Sequence, residues 1–183
     1  SALVADLRTH LPQDAPLEIL DLGAGAGSNL RHLAPLLGGA QRWRLADHDP
    51  PLLAVAIATT HAWAEERGAD VRRAGSALTI RSRDFTCEVV CEPADLAEQA
   101  IVDLPIGGVV TGAALLDLVS QSWLDELASR CRVANATVCF ALCYDGRTIL
   151  TPAEPEDSEV LELFNRHQLG DKGFGPALGP RAA

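Results

Sequence analysis

Residues 17–28, LEILDLGAGAGS, decide the fold of this chain. The apolar run at 17–22 predicts a buried strand, and the closely spaced glycines after it predict a tight turn that opens a helix. Glycine at Gly23 and Gly25 allows positive φ and leaves bare backbone where a Cβ would obstruct a bound molecule. The stretch therefore predicts a small-molecule site at the end of a strand.

Strands and helices alternate along the rest of the chain. The pattern predicts strands over residues 18–22, 42–47, 85–91, 107–111 and 137–144, and helices over residues 2–10, 27–37, 51–67, 122–131 and 158–167. Residues 78–83 are expected to pair with 85–91 as a hairpin. Such alternation predicts an α/β fold with a doubly wound, mostly parallel, Rossmann-like sheet and helices on both faces. Right-handed crossovers then bring the carboxyl ends of the parallel strands to one edge.

A second signal lies in residues 42–53, RWRLADHDPPLL. Asp47 ends an apolar strand 24 residues after Gly23, a spacing that suits a carboxylate accepting both hydroxyls of a ribose. Asp49 followed by Pro50 predicts a helix N-cap with proline in the first turn. The glycines run G-x-G-x-G rather than G-x-G-x-x-G, and Asp21 would repel a diphosphate but attract an ammonium group.

These stretches resemble class I S-adenosylmethionine-dependent methyltransferases, with LEILDLGAGAGSNL similar to their first motif and CEPADLAEQ to their third. The resemblance runs over residues 17–174. It implies S-adenosylmethionine as the cofactor, with the ribose on Asp47, the adenine beside His48 and the adenine amino group on Asp95. The cofactor-binding residues implied in this way are Asp21, Gly23, Ala24, Gly25, Asp47, His48, Asp95, Leu96 and Thr111.

The expected reaction is an in-line methyl transfer to an unidentified small molecule. No catalytic residue is assigned, and an N/D-P-P-Y/F sequence is absent after the fourth predicted strand. Asp117 is the nearest ionisable candidate for a base, with a helix cap or a solvated position as its alternatives. Two other functions stay open, namely a nucleotide-dependent (NAD-type) oxidoreductase and a non-catalytic S-adenosylmethionine-binding module.

Composition limits the partners. The chain has 183 residues, of which 48% are hydrophobic, so we expect one domain over residues 1–183. A net charge of −10 without a stripe of lysine or arginine argues against nucleic acid, and no apolar run reaches the ~20 residues of a membrane span. Five cysteines are expected to be reduced core thiols of a cytoplasmic protein, not a metal site. The oligomeric state is left open, with a homodimer as one alternative.

Both ends of the chain carry a further expectation. The sequence has no methionine, and residues 171–183 resemble a loop that leads into another element. The resemblance implies a final antiparallel hairpin that the sequence does not contain. We therefore expect a chain incomplete at both ends, with further residues or a partner covering the fifth strand.

Overall fold

In the computed structural model of the protein, the structure describes residues 15–98 and 102–183. The predicted helix at 2–10 lies outside the described residues. Two compact units are present. The first consists of residues up to Gly112 together with Arg130–Cys139, and the second consists of Ala113–Ser129 together with Phe140–Ala183.

Seven strands and four α-helices are present in the described residues. The strands are β1 Leu17–Leu22, β2 Gly39–Asp47, β3 Asp70–Ala74, β4 Ala77–Arg81, β5 Phe85–Pro93, β6 Val109–Ala113 and β7 Thr137–Ala141. The helices are α1 Ser28–Leu37, α2 Pro50–Glu66, α3 Gln121–Val133 and α4 Asp157–Gln168, and a 3₁₀ helix covers Gly179–Ala182.

The strands form one sheet in the order β3-β4-β5-β2-β1-β6-β7. Strand β1 is parallel to β2 and β6, and β2 is parallel to β5. Strand β4 pairs antiparallel with both β3 and β5. The predicted α/β class and mostly parallel sheet are confirmed, as is the hairpin that joins β4 to β5, whereas β3 was not predicted.

The core of the first unit forms where α1 and α2 pack against the sheet, to which β1 contributes Leu17 and Ile19 and β2 contributes Trp43 and Leu45. Trp43 is fully buried at the centre of β2, and its indole N–H donates to Gln41 Oε1 at 2.8 Å. The Gln41 amide in turn donates to the carbonyl of Ala34 at 2.9 Å. These bonds satisfy polar groups that burial would otherwise make costly.

Helix α2 begins as the sequence predicts. The Asp49 side chain accepts the Leu52 N–H at 3.1 Å, and Pro50 occupies the first helical position. An aspartate cap satisfies an amide that the helix itself leaves without an acceptor, and proline there has no N–H to lose. The cap fixes where α2 starts relative to the end of β2.

Aromatic pairs hold the second unit together. Trp123 and Phe174 meet edge to face with centroids 5.7 Å apart, and Tyr144 and Phe164 do so at 5.4 Å. Helix α4, although amphipathic, buries none of its twelve residues, all of which the structure describes. Its apolar side chains therefore stay accessible to solvent.

Candidate functional site

The carboxyl ends of four neighbouring strands, β5, β2, β1 and β6, define the candidate site in the first unit. Leu22 lies in register with Ala46, and Asp21 lies opposite Thr111 on the other side of β1. Asp47 is in register with Pro93, the last residue of β5. The parallel register therefore brings the predicted residues of three separate sequence stretches to one edge of the sheet.

The glycine turn after β1 has the left-handed backbone that its sequence predicts. Gly23, Gly25 and Gly27 have φ of 64°, 52° and 76°. A Cβ on Gly25 would meet only Leu52 Cδ2, at 3.9 Å, so backbone conformation and not crowding requires glycine there. The turn is anchored at Ala24, whose N–H donates to the carbonyl of Ala46 at 3.1 Å.

Asp47 joins this turn to the end of β2. Its Oδ2 accepts the Gly25 N–H at 2.8 Å, and its Oδ1 accepts the Asp49 N–H at 3.0 Å. His48 Nδ1 lies 3.4 Å from Oδ1, and the His48 side chain is 82% exposed. A carboxylate has about four acceptor positions, so each oxygen of Asp47 retains the capacity to accept from a ligand hydroxyl.

Asp21 is completely buried at the end of β1. Its Oδ1 accepts from the Asn29 side-chain amide at 2.8 Å, whereas its Oδ2 has no hydrogen-bond partner among the described residues. Burial raises the pKa of the Asp21 carboxyl from 3.8 to about 7; the Asn29 bond lowers this pKa, and the nearby charge of Asp47 raises it. A titratable group thus lies directly beneath the glycine turn.

Asn29 is the residue of this site that the sequence reasoning missed. Its side-chain amide donates to Asp21 and also to Thr111 Oγ1, at 3.1 Å. The Thr111 hydroxyl donates to the carbonyl of Cys139 at 2.7 Å, so Thr111 is buried and its hydroxyl already has partners within the first unit. The bond to Thr111 joins residues 82 positions apart, so no local sequence pattern indicates it.

The segment after β5 reaches the same edge. The Ala94 N–H donates to the carbonyl of Asp47 at 2.9 Å, which places Asp95 and Leu96 next to the end of β2. Asp95 is exposed, and its Oδ1 accepts the Ala97 N–H at 3.0 Å, while Leu96 is buried. Seven of the nine predicted residues thus lie at the ends of neighbouring strands or directly after them, and Asp95 and Leu96 follow the end of β5.

Other candidate residues lie elsewhere. Asp117 belongs to the second unit, and its Oδ1 is buried without a hydrogen-bond partner among the described residues. Cys87 and Cys131 are buried, and the three remaining cysteines are half-buried; all five are free thiols. Within residues 15–98 and 102–183, no cluster of three side chains is suited to hold a metal ion.

Comparison with known proteins gives the fold. No family model and no curated protein matches the chain. Among solved structures, phosphoethanolamine N-methyltransferase 2 of Haemonchus contortus, in complex with S-adenosylmethionine, is 19% identical, covering 90% of this chain and 31% of that one with a TM-score of 0.49. An arsenic(III) S-adenosylmethionine methyltransferase of Chlamydomonas reinhardtii is 18% identical, with 90% and 55% coverage and a TM-score of 0.50.

A third structure, an S-adenosylmethionine-dependent methyltransferase of Mesorhizobium loti, is 21% identical, covering 80% of this chain and 56% of that one with a TM-score of 0.47. The chain thus spans less than two thirds of the length of each of these proteins. The likeness to the Chlamydomonas structure concerns the fold alone. The described residues have the Rossmann-like fold of class I S-adenosylmethionine-dependent methyltransferases.

Among the described residues, no helix has the length and apolar character needed to cross a bilayer.

Proposed function

We propose that this chain binds S-adenosylmethionine at the strand edge and transfers its methyl group to a small molecule. The observation that carries the proposal is the bond between the Gly25 N–H and Asp47 Oδ2, at 2.8 Å. It ties a turn of bare backbone to a strand-end carboxylate. A nucleoside needs this pair of features, since the turn admits close approach and the carboxylate accepts ribose hydroxyls.

The residues present fit such a cofactor. Gly23, Ala24 and Gly25 would lie along its amino-acid end, and Asp47 would accept from the ribose. His48 and the Asp95–Leu96 segment are available to the adenine. The charge of Asp21 would attract an ammonium group; because Oδ2 is buried, direct contact would require a local shift of the turn. The sulfonium group supplies an already activated methyl, so the main task of the chain is to position the acceptor.

Composition supports a small acceptor. The net charge of −10 repels a phosphate backbone, which requires clustered cations for binding. We also propose a cytoplasmic location, which the five free thiols support because reduced cysteines are typical of that compartment.

Calorimetric titration of the chain with S-adenosylhomocysteine tests the cofactor, and NADH serves as the competing ligand. The Gly25→Val variant should lose binding, since valine at φ 52° is strained and covers the bare backbone. Gly68→Val is the matched control, because Gly68 has φ 73° with open space around it and follows the far end of α2. Tight binding of NADH without binding of S-adenosylhomocysteine would instead identify an oxidoreductase.

The reaction needs a separate test. Incubation with S-adenosylmethionine carrying a labelled methyl group and a metabolite extract should yield a labelled small molecule. Cofactor binding with no labelled product from any extract would identify a non-catalytic binding module.

A further inference from the structure

The second unit contains a cavity of about 460 Å³ between α4 and the chain that precedes it. Its apolar wall consists of Ile149, Leu150, Val160, Leu161 and Phe164. Volumes of 300–1,000 Å³ are typical of small-molecule pockets. Ile149 is 93% exposed, Val160 55% and Phe164 45%, so large apolar side chains here remain in contact with water.

The polar part of the cavity is acidic. Asp157, Thr148 and Ser158 complete its wall. Asp157 Oδ2 accepts the Glu154 N–H at 2.9 Å, which holds the carboxylate in place and leaves it further acceptor positions. Two more acidic residues, Glu156 and Glu159, flank Asp157 at the start of α4. An apolar pocket with a carboxylate, Asp157, among its lining residues favours a ligand that is apolar over most of its surface and positively charged at one end.

The cavity is held in shape by contacts within the second unit. The Phe164 ring meets Tyr144 edge to face, with an interplanar angle of 84°. The Tyr144 hydroxyl donates to Asn165 Oδ1 at 2.8 Å, and the Asn165 amide donates to the carbonyl of Gly146 at 3.1 Å. These bonds fix α4 against the segment that precedes it in the chain. The wall that a ligand would contact is therefore largely preformed.

We infer that this cavity binds a small amphipathic cation, with its alkyl or aromatic body against Ile149, Val160 and Phe164 and its ammonium group beside Asp157. A second copy of the chain is disfavoured as the occupant, because it would bring a net charge of −10 towards the Asp157 carboxylate. The inference uses residues of the second unit alone and does not depend on the proposed cofactor site.

Calorimetric titration of the full chain with three probes of equal alkyl length tests the inference. The probes are octyltrimethylammonium, octyl glucoside and octyl sulfate, each kept below its micelle concentration at low ionic strength. We expect affinity to fall in the order cation, neutral, anion. Asp157→Asn should weaken the cation about threefold and leave the glucoside unchanged, since it removes a partly exposed charge pair.

Loss of apolar contact is tested separately. Ile149→Ser combined with Val160→Ser should weaken the cation and the glucoside alike, by about fivefold or more. Both side chains are mostly exposed, so the substitutions should leave the folded chain intact, as circular dichroism would verify. Ile106→Ser and Asp84→Asn are matched controls, because both residues are exposed in the first unit and line no part of this cavity.

Several results would overturn the inference. These are equal or tighter binding of octyl sulfate, no binding of any probe, or an equal loss of affinity in the control variants. Sedimentation velocity provides a further check. A dimer that Ile149→Ser dissociates would show that this face is covered by a second copy rather than by a small cation.

Discussion

Replacement of Asp21 by asparagine should change the way the stability of the folded chain depends on pH. The carboxyl is completely buried and has a single hydrogen-bond donor, Asn29, among the residues that the structure describes. Asparagine has nearly the same shape, and its carbonyl oxygen can accept the same Asn29 bond. The substitution therefore removes the titration and little else.

The size of the effect follows from the raised pKa. A carboxyl whose pKa rises from 3.8 to about 7 on folding stabilises the folded state below pH 3.8, and that stabilisation is lost as the pH rises through 7. Between pH 5 and pH 8, this loss is about 3 kcal/mol. The amide of the Asp21→Asn variant does not titrate. Across this range, the free energy of unfolding of the variant should therefore rise by about 3 kcal/mol relative to that of the parent. Any constant difference in packing cancels between the two pH values.

Urea denaturation followed by circular dichroism at pH 5, 6, 7 and 8 measures the difference between parent and variant. Asp84→Asn is the control; Asp84 is exposed, so its removal should give a difference that is flat with pH. A difference in the free energy of unfolding that does not change with pH would refute the interpretation of Asp21 as a buried, uncompensated carboxyl. An Asp21→Asn variant that loses stability relative to the parent as the pH rises would refute it too. S-adenosylhomocysteine affinity at pH 8 should fall in the same variant, because the attracting charge is gone.

Three further predictions concern neighbouring residues. Asn29→Leu removes both amide hydrogen bonds and should destabilise the fold at pH 8 by about 2–4 kcal/mol. Combining it with Asp21→Asn should recover part of that loss. A double-mutant cycle that shows no coupling between the two substitutions would contradict the contact. Gly27→Ala should lower the free energy of unfolding by about 1–3 kcal/mol in a thermal or urea unfolding series, because φ is 76° and the new Cβ would lie 3.2 Å from Ala56 Cβ. The control Gly75→Ala has φ 61° but open space around the new Cβ, and it should cost about 1 kcal/mol. Cys87 should resist iodoacetamide at pH 8 in the folded chain and react after unfolding, since burial raises the pKa of its thiol to about 12. Mass spectrometry of the folded chain after labelling measures this. Rapid modification of Cys87 in the folded chain would disprove the prediction.

The parts of the fold that sequence predicted are those with strong local signals. The glycine turn and the start of α2 depend on residues adjacent in the chain, and both were predicted. Strand β3, Asp70–Ala74, was missed because its residues are polar and mostly exposed, and pairing with β4 alone makes it a strand. Strand β7 ends at Ala141 and not at the predicted residue 144, because Leu142 adopts a φ of 59° that a strand does not allow.

The candidate site also has a part that the sequence predicted and a part that it did not. Strand-end acids could be placed from their spacing to the glycines, because parallel strands bring their carboxyl ends together. Asn29 could not be placed, since its bond to Thr111 joins residues 82 positions apart in the sequence. A contact of that range depends on how α1 packs on the sheet, and no local pattern reports it. The spacing placed Gly25 and Asp47 at one edge, but the direct bond between them, which spans 22 positions, was not predicted.

The two acids at the strand edge differ in how their charge is compensated, and that difference bears on function. Asp47 accepts from the N–H groups of Gly25 and Asp49, whereas Asp21 has one amide donor and a buried oxygen with no partner in the described residues. An ionised Asp21 therefore destabilises the fold on its own, and Asp47 adds repulsion to it. Strongly shifted pKa values of this kind are common at functional sites, and under the proposed function a ligand ammonium at the turn would relieve the repulsion that the folded chain carries. Asp47 holds the turn in place through the Gly25 N–H, and Asp21 carries a charge beside it once the pH exceeds its raised pKa of about 7. Under the proposed function, this pair would position the cofactor and favour its ammonium group.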